Sequence, residues 1–185
     1  SNISRILVAV SATSDPTRTW YYQPIDSKVT ISGTEYWADY PGLAVDYEAI
    51  YITANLFTFS GVGTWGGERL WILAKTVGSG GGLYGGGSST VNIYDAFSLA
   101  SVAGYADTAM PAHIFGSTPG TVGTWLVYYG GLSDGTNEYL GIIRVDSPLS
   151  SPTFSNQFPL VGDIDDTATT TLPDAPQLGS GYTIE

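Results

Sequence analysis

The sequence contains no cysteine. Disulfides, thiolate metal centres and a cysteine nucleophile are therefore excluded. A single histidine, His113, rules out a metal site built from several imidazoles. Basic residues are scarce: 6 Lys and Arg against 17 Asp and Glu leave a net charge of −11. Such a field repels a nucleic-acid backbone and an anionic membrane surface, so neither is expected as a partner. No apolar run is long enough for a membrane-spanning helix. Helix signals are nearly absent, apart from a short turn expected in residues 96–102. Ser1-Asn2-Ile3-Ser4-Arg5 lacks the basic stretch and apolar core of a signal peptide. Ser1 is not an initiating methionine, so the chain is expected to be a processed product or a piece of something longer. What the sequence does have is aromatic and apolar mass. Hydrophobic residues make up 43% and aromatics 13%, with 13 Tyr and 5 Trp. That content argues against disorder, and 185 residues suffice for one domain with a sizeable core. Few lysines, many Gly, Ser, Thr and Tyr, and an acidic balance point to a secreted or cell-surface bacterial protein.

Strand signals recur along the chain as short runs rich in Val, Ile, Tyr, Trp and Thr, broken by Gly, Pro, Asp and Ser. They predict strands at residues 5–11, 19–24, 42–46, 49–57, 68–76, 90–94, 112–115, 124–129, 138–146 and 153–159. An internal repeat orders them. Glu68-Arg69-Leu70-Trp71-Ile72-Leu73 matches Glu138-Tyr139-Leu140-Gly141-Ile142-Ile143, and Tyr40-Pro41-Gly42-Leu43-Ala44-Val45 matches Met110-Pro111-Ala112-His113-Ile114-Phe115 at the same offset. Between them, Ile50-Tyr51-Ile52-Thr53 corresponds to Trp125-Leu126-Val127-Tyr128. Arg5-Ile6-Leu7-Val8-Ala9 looks like the same strand as Arg69–Leu73, one unit earlier. Pro173-Asp174-Ala175-Pro176 looks like the opening of a further unit. Each unit reads as four strands, the third strongly apolar. Four-stranded antiparallel units repeated at this length predict an all-β chain and a β-propeller segment of about two to three blades. The parts are residues 1–27 as two outer strands, 39–95 and 109–161 as blades, and 173–185 as the start of another. A β-sandwich is the alternative. An open array of blades leaves faces and edges uncovered, so the partners expected are the remainder of a longer polypeptide or neighbouring copies of the chain.

Thr13-Ser14-Asp15-Pro16-Thr17-Arg18-Thr19-Trp20 resembles the Asp-box of sialidase-like (BNR-repeat) propellers, S-x-D-x-G-x-T-W. Asp15, Thr19 and Trp20 match, while Thr13 and Thr17 depart. The resemblance implies a folding device rather than a catalytic site: Asp15 accepting backbone N–H groups in the turn, and Trp20 packing between blades. A second candidate ahead of Trp125 keeps only Thr124-Trp125. The text Asp39–Asp46 followed by Ala49–Asn55 is similar to repeats in large secreted bacterial propeller proteins. That similarity implies an extracytoplasmic location and no defined activity.

Sialidase chemistry needs a converging arginine triad, and the four arginines, Arg5, Arg18, Arg69 and Arg144, do not fall on inner strands. Paired carboxylates for other glycosidases would come from Asp39, Asp46 and Glu48. Asp39 is a candidate ligand-binding residue facing a central channel, or else a turn residue capping a strand. His113 is a candidate channel-lining acid–base group, or else a packed imidazole bonded to backbone. Asp163, Asp165 and Asp166 form the densest acidic run and are candidate Ca²⁺ ligands, or else a solvated loop; Ca²⁺ is the only cofactor considered. The glycines within residues 78–87 satisfy G-x-G-x-x-G, but no helix follows, and a hairpin loop is expected instead. Ser133-Asp134-Gly135-Thr136-Asn137 reads as another hairpin loop. No catalytic residue is assigned. The expected function is a non-catalytic extracellular binding or structural module for a glycan or protein, the alternative being a fragment of a sialidase-like enzyme.

Overall fold

The computed structural model describes residues 2–75, 82–97, 108–118, 120–129 and 137–162, with the backbone of 175–176 and 183–184. The chain is all-β and its sheets are antiparallel. Strands β1 (Arg5–Ser11) and β2 (Trp20–Asp26) form a hairpin. Strands β3 (Val29–Ile31), β4 (Thr34–Val45), β5 (Ala49–Thr58), β6 (Trp65–Ala74) and β7 (Val91–Tyr94) form a five-stranded central sheet in sequence order. A third sheet of four strands contains β8 (Met110–Pro111), β9 (Val122–Tyr128), β11 (Gly141–Asp146) and β12 (Thr153–Gln157). Two short pairs complete the described elements: β10 (Glu138–Tyr139) with β13 (Leu160–Gly162), and β14 (Ala175–Pro176) with β15 (Thr183–Ile184).

The central sheet is covered on both faces, and its sequence shows why. Every residue of β5 from Ala49 to Leu56 is buried, as expected for a strand without a solvent side. One face presents Ile50, Ile52, Trp71 and Leu73 to Val8 and Ile25 of the hairpin. The opposite face presents Tyr51, Leu70 and Ile72 to Leu126, Tyr128, Ile143 and Val145 of the third sheet. The outer layers alternate instead, as half-covered strands do: β11 runs buried, half-buried, buried along its length. The hairpin is also held by a polar lock. Gln23 donates from Nε2 to the carbonyl of Ser89 (2.7 Å) and accepts from the Ser89 N–H (2.8 Å), while Ser89 Oγ donates to the Ala74 carbonyl.

The third sheet is tied to the central one by a bracket. Thr53 Oγ1 donates to the Ala109 carbonyl (2.6 Å), and Asn55 both donates to Thr108 Oγ1 and accepts from the Thr108 N–H. The buried Glu68 accepts from the Ala109 N–H (3.1 Å). Burial, and after it the Glu68 charge, push the Tyr128 phenol above its ordinary range.

Several expectations change. The strand expected at 42–46 is the second half of a longer β4, bent by a bulge between Asp39 and Gly42. Residues 112–115 are not a strand. Ladder pairing stops at Pro111, and the chain then bridges two sheets, with Ala112 N–H donating to Trp125 and Ile114 N–H to Val45. In the glycine-rich stretch, Leu83–Gly85 form a 3-10 turn whose Leu83 is buried under the hairpin. The turn expected at 96–102 lies partly outside the described residues. Leu140 and Ile142 are half-exposed rather than core, because they point away from the central sheet. The correspondence expected between Ile50 and Trp125 does not match the strand register. Ile50 stands opposite Leu73 and Leu126 opposite Ile143, so Ile50 corresponds to Leu126, not Trp125.

Candidate functional site

A cleft of about 410 Å³ opens where the turn ends of the central and third sheets meet. Its walls are the β4–β5 turn (Asp46, Tyr47, Glu48), the segment leading into β9 (including Ser117 and Thr121), and the β11–β12 turn (Ser147 to Ser150).

The first wall is built on Asp46. Its Oδ1 accepts the N–H groups of Glu48 (2.7 Å) and Ala49 (2.6 Å), closing the turn as short acidic side chains do. Its Oδ2 accepts the Tyr51 hydroxyl at 2.6 Å. Burial, and next the hydrogen bond to Asp46, push the Tyr51 phenol far above its ordinary range, so it stays a donor. Lys75 Nζ donates to the Asp46 carbonyl. The carboxylate is thus buried and accepts three hydrogen bonds from the fold itself. Gly123 makes room for this arrangement: a Cβ there would lie 2.2 Å from the Tyr51 hydroxyl oxygen and 2.7 Å from Pro148.

The second wall hangs on Asp146, whose Oδ1 accepts from Arg144 (2.7 Å) and from Thr121 Oγ1 (2.9 Å). The Arg144 bond holds the Asp146 carboxyl below the usual carboxylate range, against the opposing effect of burial and with further help from Thr121. The Ser147 N–H donates to the Thr121 carbonyl at 2.7 Å, joining the two loops. Into the opening project hydroxyl side chains and two exposed residues, Tyr47, which is 82% exposed, and Glu48. The combination is an aromatic ring and an acidic rim over a floor rich in groups that both donate and accept hydrogen bonds.

The residues singled out in the sequence do not assemble here, apart from Asp46 and Glu48. Asp39 sits in the β4 bulge, where its Oδ1 accepts the N–H of Tyr40 (2.9 Å), a residue at φ 53°. It is therefore a mid-strand bulge residue, not a cap at a strand entry. His113 is exposed, stacks on Phe115, and accepts the Val45 N–H at Nδ1 (3.3 Å). Asp39 and Val45 are separated by roughly 15–20 Å of extended chain, at ~3.3 Å per residue, so Asp39 and His113 form no pair.

Asp15 closes the β1–β2 turn. It accepts from Thr17 N–H (3.0 Å), Thr17 Oγ1 (2.7 Å) and Arg18 Nε (3.1 Å). The Thr17 bonds lead in holding its carboxyl low. Thr19 ends that turn, its carbonyl accepting the Ala12 N–H. Trp20 donates to the Pro16 carbonyl but lies on the outer face, 37% exposed, so it does not pack between sheets among the described residues. Asp163, Asp165 and Asp166 lie outside the described residues. Among the described residues no cluster of three or more His, Asp or Glu side chains is placed to hold a metal ion.

The arginines are dispersed. Arg18 pairs with Asp15, Arg69 with Asp95 and Arg144 with Asp146, in three different sheets, and Arg5 stands opposite Asp26. No helix of the described residues is long and apolar enough to cross a membrane. Comparison of the chain with family models, curated proteins and solved structures finds no match. The hydroxyl-bearing wall of the cleft was not legible in the sequence. Asp46-Tyr47-Glu48 and Ser147-Pro148-Leu149-Ser150 look like ordinary turns until the sheets stack and bring them together.

Proposed function

We propose that the chain is a repeat segment of a β-propeller in a secreted or cell-surface bacterial protein, and that it is a non-catalytic module binding a glycan in the cleft between the turn ends. The observation that carries the reading is the division of labour around Asp46. The buried carboxylate is committed to the fold: it accepts two turn N–H groups at Oδ1 and the Tyr51 hydroxyl at Oδ2, which hold it in the turn. The groups that face the cleft are the Tyr47 ring and the hydroxyls of Ser117 and Ser147, with those of Thr121 and Ser150, which donate to Asp146 and the Ser147 carbonyl, keeping acceptor lone pairs. An aromatic face covers the apolar side of a sugar ring, while hydroxyls exchange hydrogen bonds with its alcohols. The face-to-face stacking of three sheets supports the propeller reading. The dispersed arginines speak against a sialidase-like fragment, which would need them to converge on a carboxylate.

The test is a glycan array probed with the full chain, run beside an aryl-glycoside hydrolysis panel. Retention of a defined glycan, lost in Tyr47→Ala without change in melting temperature, is the expected result. Hydrolysis that disappears in Asp39→Ala or His113→Ala would overturn it, as would an array with no retained glycan.

A further inference from the structure

The stack of sheets ends in two unlike faces, and each holds, relative to its own sheet, the position of a face that is buried in the central sheet. In the central sheet, Trp71 and Leu73 point toward the preceding layer, the hairpin, while Leu70 and Ile72 point toward the following layer, the third sheet. The repeat carries this alternation to the ends. In the hairpin the residues matching Trp71 and Leu73 are Leu7 and Ala9. They face outward with Pro24, Tyr22 and Trp20 from the neighbouring strand, and Arg5 and Asp26 stand at one end of this face. Leu7 is 78% exposed and Tyr22 72% exposed, side by side on a sheet face. In the third sheet the residues matching Leu70 and Ile72 are Leu140 and Ile142. They are half-buried on the side away from the central sheet, together with Val127, Trp125 and Arg144, which is paired with Asp146. In addition, β1 is hydrogen-bonded to β2 alone among the described residues, whereas its counterpart β6 is flanked by β5 and β7.

We infer that the outward face of the β1–β2 hairpin is a docking surface for a second copy of this chain, which seats the outward face of its third sheet there. The contact is head-to-tail, because the two surfaces are different and mutually complementary. It continues the layer-on-layer interface that already joins hairpin to central sheet and central sheet to third sheet. A bare apolar sheet face of this kind is otherwise a liability in water. Heterologous contacts close into a ring when the rotation per copy permits and otherwise grow as open chains. The inference rests on the repeat-unit part of the proposed function and not on the cleft. Glycan retention by a monomeric chain would leave the cleft reading standing and overturn this one.

The experiment is sedimentation of the full 185-residue chain at about 0.15 M salt, where screening over roughly 8 Å shortens the reach of the −11 charge on each copy. The expected result is association. A head variant, Leu7→Lys with Tyr22→Lys, and a tail variant, Ile142→Lys, should each sediment as monomers. Mixed in equal amounts they should give a one-to-one dimer that grows no further, since each retains one intact surface. Cooperative urea melts establish that the variants fold, and Val127→Lys replaces Ile142→Lys if the latter does not. A wild-type chain that stays monomeric would overturn the proposal. So would a tail variant that still associates, or a mixture of the two variants that stays monomeric.

Discussion

Replacing Tyr51 with Phe removes one oxygen and nothing else, and the hydroxyl it removes is the one that donates to Asp46 at 2.6 Å. A buried hydrogen bond to an ionised acceptor contributes about 1.5–3 kcal/mol, and that is the loss expected for Tyr51→Phe. Asp46→Ala removes the same bond and also the acceptor for the Glu48 and Ala49 N–H groups. The turn closure adds about 0.5–2 kcal/mol, as for a lost side-chain cap, so the total is about 2–5 kcal/mol. The double variant should then cost no more than Asp46→Ala alone, because the second change deletes a bond already gone. The coupling between the two sites is therefore about 1.5–3 kcal/mol. Asp46→Asn is the control. Its carbonyl oxygen still accepts both turn N–H groups and its amide can donate to the phenol, so it should lose less than Asp46→Ala. Urea unfolding of the four proteins at neutral pH, with a common slope, gives the cycle. A coupling below about 0.5 kcal/mol would refute the assignment of Asp46 as a wall-building residue and would return its carboxylate to the list of groups free for chemistry.

Trp71 is fully buried between hairpin and central sheet, so Trp71→Ala should cost about 3–5 kcal/mol, and a urea melt showing less than about 1 kcal/mol would refute the layer packing. Glu68→Ala leaves the Ala109 N–H without its acceptor and should lower stability by about 1–3 kcal/mol, whereas Glu68→Gln, which keeps an acceptor oxygen, should lose less; equal losses would show that the bracket is unimportant. Asp15, Glu35 and Asp146 all have carboxyls held below their ordinary values, chiefly by Thr17, Lys28 and Arg144 respectively. A depressed folded-state pKa stabilises above the unfolded value near ~4 and is lost as pH falls through the folded value. The urea midpoint should hold from neutral pH to about pH 4 and drop below it, with a shallower drop in Asp146→Asn; an unchanged acid limb in that variant would contradict the Arg144–Asp146 assignment.

The sequence alone determined that the chain is all-β and where most strands lie. These follow from local chemistry. The run Ala49–Leu56 lacks the alternation that a solvent face imposes, and Asp15 needs only its neighbours Thr17 and Arg18 to close its turn. Tertiary structure decided what depends on register and on distant partners. A one-residue slip in β9 sends Trp125 outward and Leu126 inward, and the composition of the segment does not distinguish the two. Gln23 gives no sign of pairing with Ser89, nor Glu68 of accepting from Ala109, because those bonds join residues far apart in the chain. Asp39, ahead of an expected inner strand, and His113, the single histidine, are the sequence's channel-facing candidates, yet each bonds to backbone, of Tyr40 and of Val45. The cleft exists only because two turns from different sheets are held side by side. A site made of turn ends is invisible until the layers stack, since no single stretch of sequence contains it.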